Sequence, residues 1–254
     1  MISGLLILPF CKNLNSDIKV AFGNFGKIFW ISLFQTALLY AFFYLGLNRT
    51  PAAVAAIIVG GGPLFVAILA HFTTGRDALT IRKVIALLIG FSGILLLALA
   101  KDRNIPDHGS VIVGIVLLII GNIAGSYGNI LVSKNKIEIS PVFLNALQIF
   151  MGGAMILILS LFFEEFSFTQ KPLPYYLSLV WLSFISAAAF SLWFIVLSRP
   201  EVKVSEINVW KFIIPLLGAI LSWLLITGEE PRWYTVVGMI LIAMAVLIIY
   251  GKKR

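Results

Sequence analysis

Lys211 is the one formally charged residue that the sequence places well inside an apolar segment. Counted from Ser205 it lies six residues in, or about 9 Å along a helix axis. A lysine at this depth can extend its ammonium group to the membrane interface. Alternatively, the ammonium faces a cavity, where it meets an anionic group or takes the place of a coupling proton. Because Asn208, Lys211 and Pro215 share a helix face at i, i+3 and i+7, the pattern favours a cavity-lining role slightly.

Amide side chains recur inside the other apolar segments. Asn122, Ser126 and Asn129 follow one another at i, i+4 and i+7 beside glycines that suit close helix packing. They either hydrogen-bond across that contact or, for Asn122 and Ser126, line a cavity. Amide groups in hydrocarbon require partners and therefore face inward, and an indole can stack on a solute. The predicted binding residues are Lys211, Asn208, Asn145, Gln148, Asn122, Ser126, Gln35 and Trp193.

Proline interrupts two apolar segments near their middles. Pro63 and Pro215 lack an N–H, so the carbonyl groups of Val59 and Lys211 lose their helical partners. Gly61, within a run of three glycines, loosens the first segment further. The sequence thus predicts helix breaks at Pro63, Pro215 and Gly61. Such breaks either shape helix packing or mark a binding site at the membrane midplane.

Residue types exclude several classes of chemistry. The chain has one cysteine and two histidines, and its carboxylates fall in loops or at helix ends. It carries neither His-Glu-x-x-His nor Gly-x-Ser-x-Gly, so no catalytic residue, metal site or cofactor is expected. The net charge of +8 comes from basic residues at the ends of apolar blocks. This arrangement is typical of membrane anchoring and does not predict nucleic-acid binding.

The composition is that of a polytopic helical membrane protein. The 254 residues are 60% hydrophobic and 12% charged, with mean hydropathy +1.03, against about 25% charged in soluble domains. Eight segments are long enough to span a bilayer: 27–47, 51–73, 80–100, 110–133, 141–163, 175–197, 205–227 and 232–250. A ninth stretch, 2–10, is too short and is predicted to be the tail of a helix. All connections are predicted to be loops, the longest being 11–26.

Basic residues predict the orientation. Thirteen of the nineteen Lys and Arg residues lie in one set of alternate loops and the C-terminal tail, and five lie in the other set. By the positive-inside rule, the first set and the C-terminus are cytoplasmic.

An internal repeat organises these segments. Residues 63–102 align without gaps with 215–254, pairing Pro63 with Pro215 and Asp77 with Glu229. The orientation places the Asp77 loop inside and the Glu229 loop outside, which requires an inverted repeat with an odd number of helices in each unit. The predicted units are residues 1–104 and 105–254, with five helices in the second. The first lacks one helix and half of the next, so about 44 preceding residues are expected.

Local motifs in both units resemble those of the EamA-type permeases of the drug/metabolite transporter superfamily. The first copy has a small-residue run at 52–56, the Pro63 segment, Gly90 and Gly93. The second has Pro215 with Gly218, then Gly228-Glu229 and Gly238. Gly75-Arg76-Asp77 departs from the family's Gly-Glu pair. The resemblance implies ten helices in two inverted five-helix repeats.

The resemblance implies a transporter that moves small organic metabolites or drugs across the plasma membrane by alternating access. A retinal-type receptor or sensor could use Lys211 as a Schiff base, but no span supplies a carboxylate counter-ion. A non-transporting assembly partner is the other alternative. The expected partners are the lipid bilayer and a small-molecule substrate, with a homodimer left open.

Overall fold

The computed structural model describes residues 1–50, 52–75, 77–99, 108–135, 137–163, 171–214, 233–250 and the single positions 217, 220, 221 and 224. Within these ranges the chain is helical and contains no β-strand. Five helical segments are long and apolar enough to cross a membrane: Phe25–Leu47, Val54–Thr74, Val111–Lys134, Pro141–Phe162 and Leu173–Leu197. The fold is therefore that of an all-α polytopic membrane protein, which confirms the predicted fold class.

The helices follow one another with short connections. In chain order they are α1 (Ile2–Ile7), α2 (Leu14–Gly23), α3 (Phe25–Ser32), α4 (Leu39–Leu47), α5 (Ala52–Gly60), α6 (Gly62–Thr74), α7 (Ile81–Leu99), α8 (His108–Lys134), α9 (Pro141–Phe163), α10 (Leu173–Leu197), α11 (Val204–Val209) and α12 (Trp233–Tyr250). Short 3₁₀ turns follow α1 (Leu8–Phe10) and α11 (Trp210–Phe212), and a π-helical segment, Leu33–Leu38, joins α3 to α4.

Two predicted segments differ from their expected form. The loop predicted at 11–26 was wrong, because α2 occupies most of it. Asp17 in the first turn of α2 complements the helix dipole, and Asp17 and Ala21, one turn apart, form its buried side. The segment 51–73 is divided at Gly61, where α5 ends and α6 begins. The second predicted break, at Pro215, lies outside the described residues, as does Glu229.

The chain forms two compact units, each assembled from segments that are distant in sequence. Unit 1 comprises Met1–Ala41 and Tyr127–Val202, and unit 2 comprises Phe42–Ser126 and Lys203–Arg254. These two units are defined by contacts between helices. The predicted repeats, 1–104 and 105–254, are defined by the sequence pattern instead, and they stay a prediction.

Small residues let the helices of unit 1 approach closely. A Cβ atom added at Gly4 of α1 would lie 2.7 Å from the carbonyl oxygen of Ala146 in α9. One added at Gly152 of α9 would lie 2.5 Å from Cβ of Thr36 in the π-helical segment. Backbone thus packs directly against neighbouring helices at both positions, as is common between membrane helices.

In unit 2, α7 and α12 cross at glycine. A Cβ atom at Gly93 of α7 would lie 2.6 Å from the carbonyl oxygen of Gly238 and 2.8 Å from the Ile242 side chain, both in α12. Beside this crossing lies the core of the unit, formed by buried Ala67, Leu87, Ile94, Val209, Phe212, Ile242 and Ala245. The packing of this core therefore depends on the absence of a side chain at position 93.

Substitution at Gly93 should loosen unit 2. Gly93→Ala forces α7 away from α12, and we expect a loss of about 1–3 kcal/mol, visible as a lower Tm of the protein in lipid nanodiscs. Gly23→Ala in α2 is the matched control, since a Cβ there meets no atom within 4 Å. The control should leave Tm unchanged or raise it slightly. Equal Tm values for the two variants would contradict close packing at Gly93.

Candidate functional site

The π-helical segment of unit 1 turns adjacent polar residues toward the protein interior. Gln35, Thr36 and Ala37 follow one another and are all buried, with 4%, 6% and 2% of their surface exposed. In an α-helix, successive side chains point about 100° apart, whereas a π-helical turn widens the coil locally and often occurs at functional sites. Here it lets Gln35 reach α8 while Thr36 reaches α9.

Thr36 begins a fully paired chain of hydrogen bonds. Its hydroxyl group donates to Oε1 of Gln148 (2.6 Å), and Nε2 of Gln148 donates to Oδ1 of Asn145 (3.0 Å). Nδ2 of Asn145 then donates to the hydroxyl of Ser191 in α10 (3.1 Å). Both ends of each amide are engaged, so this chain holds α9 in register with the π-helical segment and α10.

Gln35 begins a second chain of hydrogen bonds. Its Nε2 donates to Oδ1 of Asn129 in α8 (3.3 Å), and the indole Nε1 of Trp193 in α10 donates to the same oxygen (3.0 Å). Gly128 permits the approach, because a Cβ there would lie 2.5 Å from Oε1 of Gln35. The other amide atom of Gln35, Oε1, is buried, and no donor among the described residues bonds to it.

We call these seven side chains the amide cluster: Gln35, Thr36, Asn129, Asn145, Gln148, Ser191 and Trp193. Four of them were predicted as site residues from the sequence. Asn129 was noted only as one of three spaced polar residues, and Thr36 and Ser191 were missed. Thr and Ser are common in membrane helices because they can bond to their own backbone, so the sequence offers no signal for the last two.

A surface groove in unit 1 lies on different side chains. It has a volume of about 630 Å³ and is lined by Gly26, Lys27, Trp30, Phe34, Tyr127, Leu131 and Asn135. The Trp30 and Phe34 rings stack, and Phe34 meets Tyr127 edge-on at 4.9 Å. None of the eight predicted binding residues lines this groove.

In unit 2, Asn122 stabilises the interrupted helix. Its Nδ2 donates to the carbonyl oxygen of Ile58, which also accepts from the N–H of Gly61. At a break of this kind, side chains from neighbouring helices restore the lost backbone hydrogen bonds. Asn122 therefore has a structural partner, the carbonyl of Ile58, at the end of α5.

The remaining predicted residues of unit 2 lie on α8, on α11 and on the turn after α11. Ser126 and Asn208 are buried, and Nδ2 of Asn208 donates to the carbonyl of Val204 one turn earlier (2.8 Å). Lys211 is half-buried in the 3₁₀ turn Trp210–Phe212. A 3₁₀ turn advances by about 120° per residue instead of 100°, so the predicted α-helical face does not continue unchanged to Lys211.

A buried carboxylate, which the sequence did not single out as a site, anchors the start of α11. Oδ2 of Asp77 accepts from the backbone N–H of Ser205 (2.8 Å), and its Oδ1 accepts from the Ser205 hydroxyl and from Nζ of Lys83. Lys83 also donates to the carbonyl of Ala78 (3.1 Å) and lies 3.6 Å from a carboxylate oxygen of Glu206. We call Asp77, Lys83 and Ser205 the carboxylate clamp.

Gly75 and hydrogen bonding together account for this arrangement. Gly75 ends α6 in a left-handed conformation (φ +61°) that a side chain would disfavour, and so turns the chain toward Asp77. Burial alone would raise the pKa of Asp77, but the hydrogen bonds from Lys83 and Ser205 outweigh it and hold that pKa below its ordinary value. Asp77 is therefore ionised at neutral pH, which suits a structural anion.

Among the described residues, no group of three potential ligands could hold a metal ion.

Removing the clamp's charge should be costly. Asp77→Asn leaves the buried Lys83 ammonium without its main partner, and we expect a loss of about 3 kcal/mol, measured as Tm in nanodiscs. Asp77→Asn combined with Lys83→Met should recover part of the loss. The wild type should also lose stability as pH falls below about 3.9 through the depressed pKa of Asp77, and Asp77→Asn should lack this contribution. A neutral Asp77→Asn would contradict the clamp.

Comparison with known proteins agrees with this helical architecture. The chain is 26% identical over 225 residues to the uncharacterized transporter YvbV of Bacillus subtilis, covering 88% of this chain and 71% of that protein. It is 27% identical over 216 residues to an uncharacterized transporter of Acidianus ambivalens, covering 85% and 77%. A solved crystal structure matches with a TM-score of 0.75 at 15% identity, covering 98% of this chain and 83% of that one. At this identity the match shows a shared fold alone.

A family model decides the classification. The model of the EamA-like transporter family matches residues 1–99 and 112–251, nearly the whole chain. The resemblance noted in the sequence motifs is thereby confirmed. The chain belongs to the EamA-like transporter family and is a multi-pass membrane transporter.

Proposed function

We propose that this transporter moves small polar organic solutes across the plasma membrane by alternating access, with its C-terminus in the cytoplasm. The amide cluster carries the proposal. Polar side chains inside a membrane are costly and usually mark a solute path, and here seven of them meet among apolar helices. Uncharged amides and hydroxyls suit solutes that are recognised through hydrogen bonds.

The cluster's two hydrogen-bonded chains suggest a division of roles. Asn145 and Gln148 have both amide ends engaged, so we assign them a positioning role. Gln35 keeps an acceptor atom to which no donor of the described residues bonds, and its amide shares the Asn129 oxygen with the Trp193 indole. We assign solute contact in unit 1 to Gln35 and Trp193.

Within unit 2 the candidate groups are a cation and a break in a helix. Lys211 follows α11, whose start is held by the carboxylate clamp, so its backbone position is well defined. We propose that its ammonium group binds an acidic part of the solute or replaces a coupling proton. The interruption at Gly61, where Asn122 bonds to the carbonyl of Ile58, supports an inverted-repeat mechanism in which paired broken helices flank the solute.

The decisive experiment is transport by the purified protein in proteoliposomes. A panel of amino acids, organic acids and cationic dyes identifies the solute class, with protein-free vesicles as the baseline. Lys211→Met should abolish uptake of the transported solute while leaving membrane insertion and Tm intact. Lys211→Arg should retain part of the activity, because a guanidinium group is larger and planar.

Each outcome has a distinct meaning. If Lys211 only extends to the interface, Lys211→Met should be neutral or slightly stabilising, and normal uptake by that variant would contradict the binding role. Absence of uptake for every solute in the panel would contradict the transport proposal as a whole.

The proposed topology is tested with single cysteines in a Cys11→Ser background. Asp77 itself is buried in the clamp, so Ala78→Cys, at an exposed position of the same loop, is the better probe. Ala78→Cys and Glu229→Cys should react with an impermeant maleimide from opposite sides of the membrane, because an inverted repeat places the two loops on opposite faces. Labelling of both from one side would rule out the inverted repeat.

A further inference from the structure

The unpaired oxygen of Gln35 is the least satisfied polar atom of the amide cluster. Gln35 is 4% exposed, and no donor among the described residues bonds to its Oε1. A buried acceptor without a donor is destabilising, and native proteins keep few of them. Such an atom therefore calls for a partner that is not among the described side chains.

Trp193 fixes which atom of Gln35 is left over. An indole N–H can only donate, so the atom of Asn129 that faces Trp193 must be the amide oxygen. The atom of Gln35 that faces this oxygen must in turn be the amide nitrogen. Rotating the Asn129 amide by 180° would break both bonds, and rotating the Gln35 amide would break its bond to Asn129, so Gln35 is held with its acceptor directed away from Asn129.

The chemistry of that acceptor defines its ligand. A lone amide oxygen accepts an N–H or O–H, and it repels a carboxylate, which has only acceptor atoms. The cluster contains no charged side chain, so nothing in it offsets the desolvation of a full charge. An uncharged donor, such as a primary amide or a hydroxyl group, fits best.

Access to this oxygen requires a change of helix packing. Oε1 lies against Gly128 of α8, where a Cβ would be 2.5 Å away. Gln35 itself stands in the π-helical segment, a local widening that can relax toward regular α-helix. Separation of this segment from α8 would uncover the oxygen.

We propose that Oε1 of Gln35 selects solutes carrying an uncharged N–H or O–H donor and pairs with that donor when the π-helical segment and α8 separate. This inference rests on the proposed transport function and names the solute group recognised at the same site. While the π-helical segment lies against α8, no donor of the described residues bonds to this oxygen. A solute that donates a hydrogen bond to it therefore stabilises the state in which the segment and α8 are apart.

The test compares matched probes that differ in one donor group. Nicotinamide and 3-acetylpyridine, and likewise benzamide and acetophenone, differ by the exchange of an amide NH₂ for a methyl group of similar size. Binding to the full chain in nanodiscs is measured by thermal shift titration. For the wild type we expect the donor-bearing member of each pair to bind about tenfold more tightly.

Two variants and one control isolate Gln35. Gln35→Met should reduce the preference to about one while keeping Tm within about 3 °C, since Oε1 has no donor among the described residues and Asn129, which loses the bond from Nε2, keeps the bond from Trp193. Trp193→Phe keeps the aromatic ring but frees the Asn129 and Gln35 amides to rotate, so its preference should be intermediate. Gln148→Met, the control, should lower Tm and weaken both members of each pair alike, because both ends of that amide are paired.

Several outcomes would overturn the inference. The inference is wrong if the wild type binds neither probe of a pair or binds both equally well. It is also wrong if Gln35→Met still prefers the donor-bearing probe. A Gln35→Met variant that changes only Tm would mean that the oxygen holds an internal water molecule. In each case, the proteoliposome assay separates the two proposals. Uptake of any panel solute would support the transport function although the inference about Gln35 fails, whereas absence of all uptake would contradict the transport function itself.

Discussion

Hydrocarbon offers no hydrogen bonds, so every polar group inside a membrane helix depends on another part of the same chain. This constraint explains the main features of both units. In unit 2 the carbonyl of Ile58, near the end of α5, accepts from the N–H of Gly61 and from Asn122 of α8. In unit 1 the amides of Asn145 and Gln148 satisfy one another and their neighbours. Against this background, two buried side-chain oxygens of the described residues stand out because no donor bonds to them: Oδ2 of Asp17 in α2 and Oε1 of Gln35 within the amide cluster.

Close approach of helices makes this mutual satisfaction geometrically feasible. Amide side chains are short, and they bridge two helices only where the backbones are near each other. Gly128 and Gly152 bring α8 and α9 against the π-helical segment, which carries Gln35 and Thr36. The glycines and the amides therefore act together, because a side chain at either glycine would separate the hydrogen-bonding partners.

The sequence predicted the membrane fold and part of the candidate site because the first depends on composition and the second on the free-energy cost of polar side chains in hydrocarbon. Long apolar segments have few alternatives to membrane helices, and amides such as Gln35 and Gln148 are too costly in hydrocarbon to face lipid. The sequence did not predict α2, since a helix at 14–23 depends on the burial of Asp17 and Ala21 by the folded protein. It also missed the pairing of Asp77 with Ser205, because a contact between positions 128 residues apart leaves no local pattern.

The crossing of α7 and α12 has a consequence for biosynthesis. Arg82 donates to the carbonyl of Ile248 across 166 positions of sequence, and the Gly93 crossing lies in the same pair of helices. A ribosome produces α7 long before α12, so the face of α7 that carries Gly93 lacks its native partner while the intervening chain is made. Completion of unit 2 is thus a late event in translation, and until then the chain is an incompletely packed intermediate of the kind that larger proteins form as they fold.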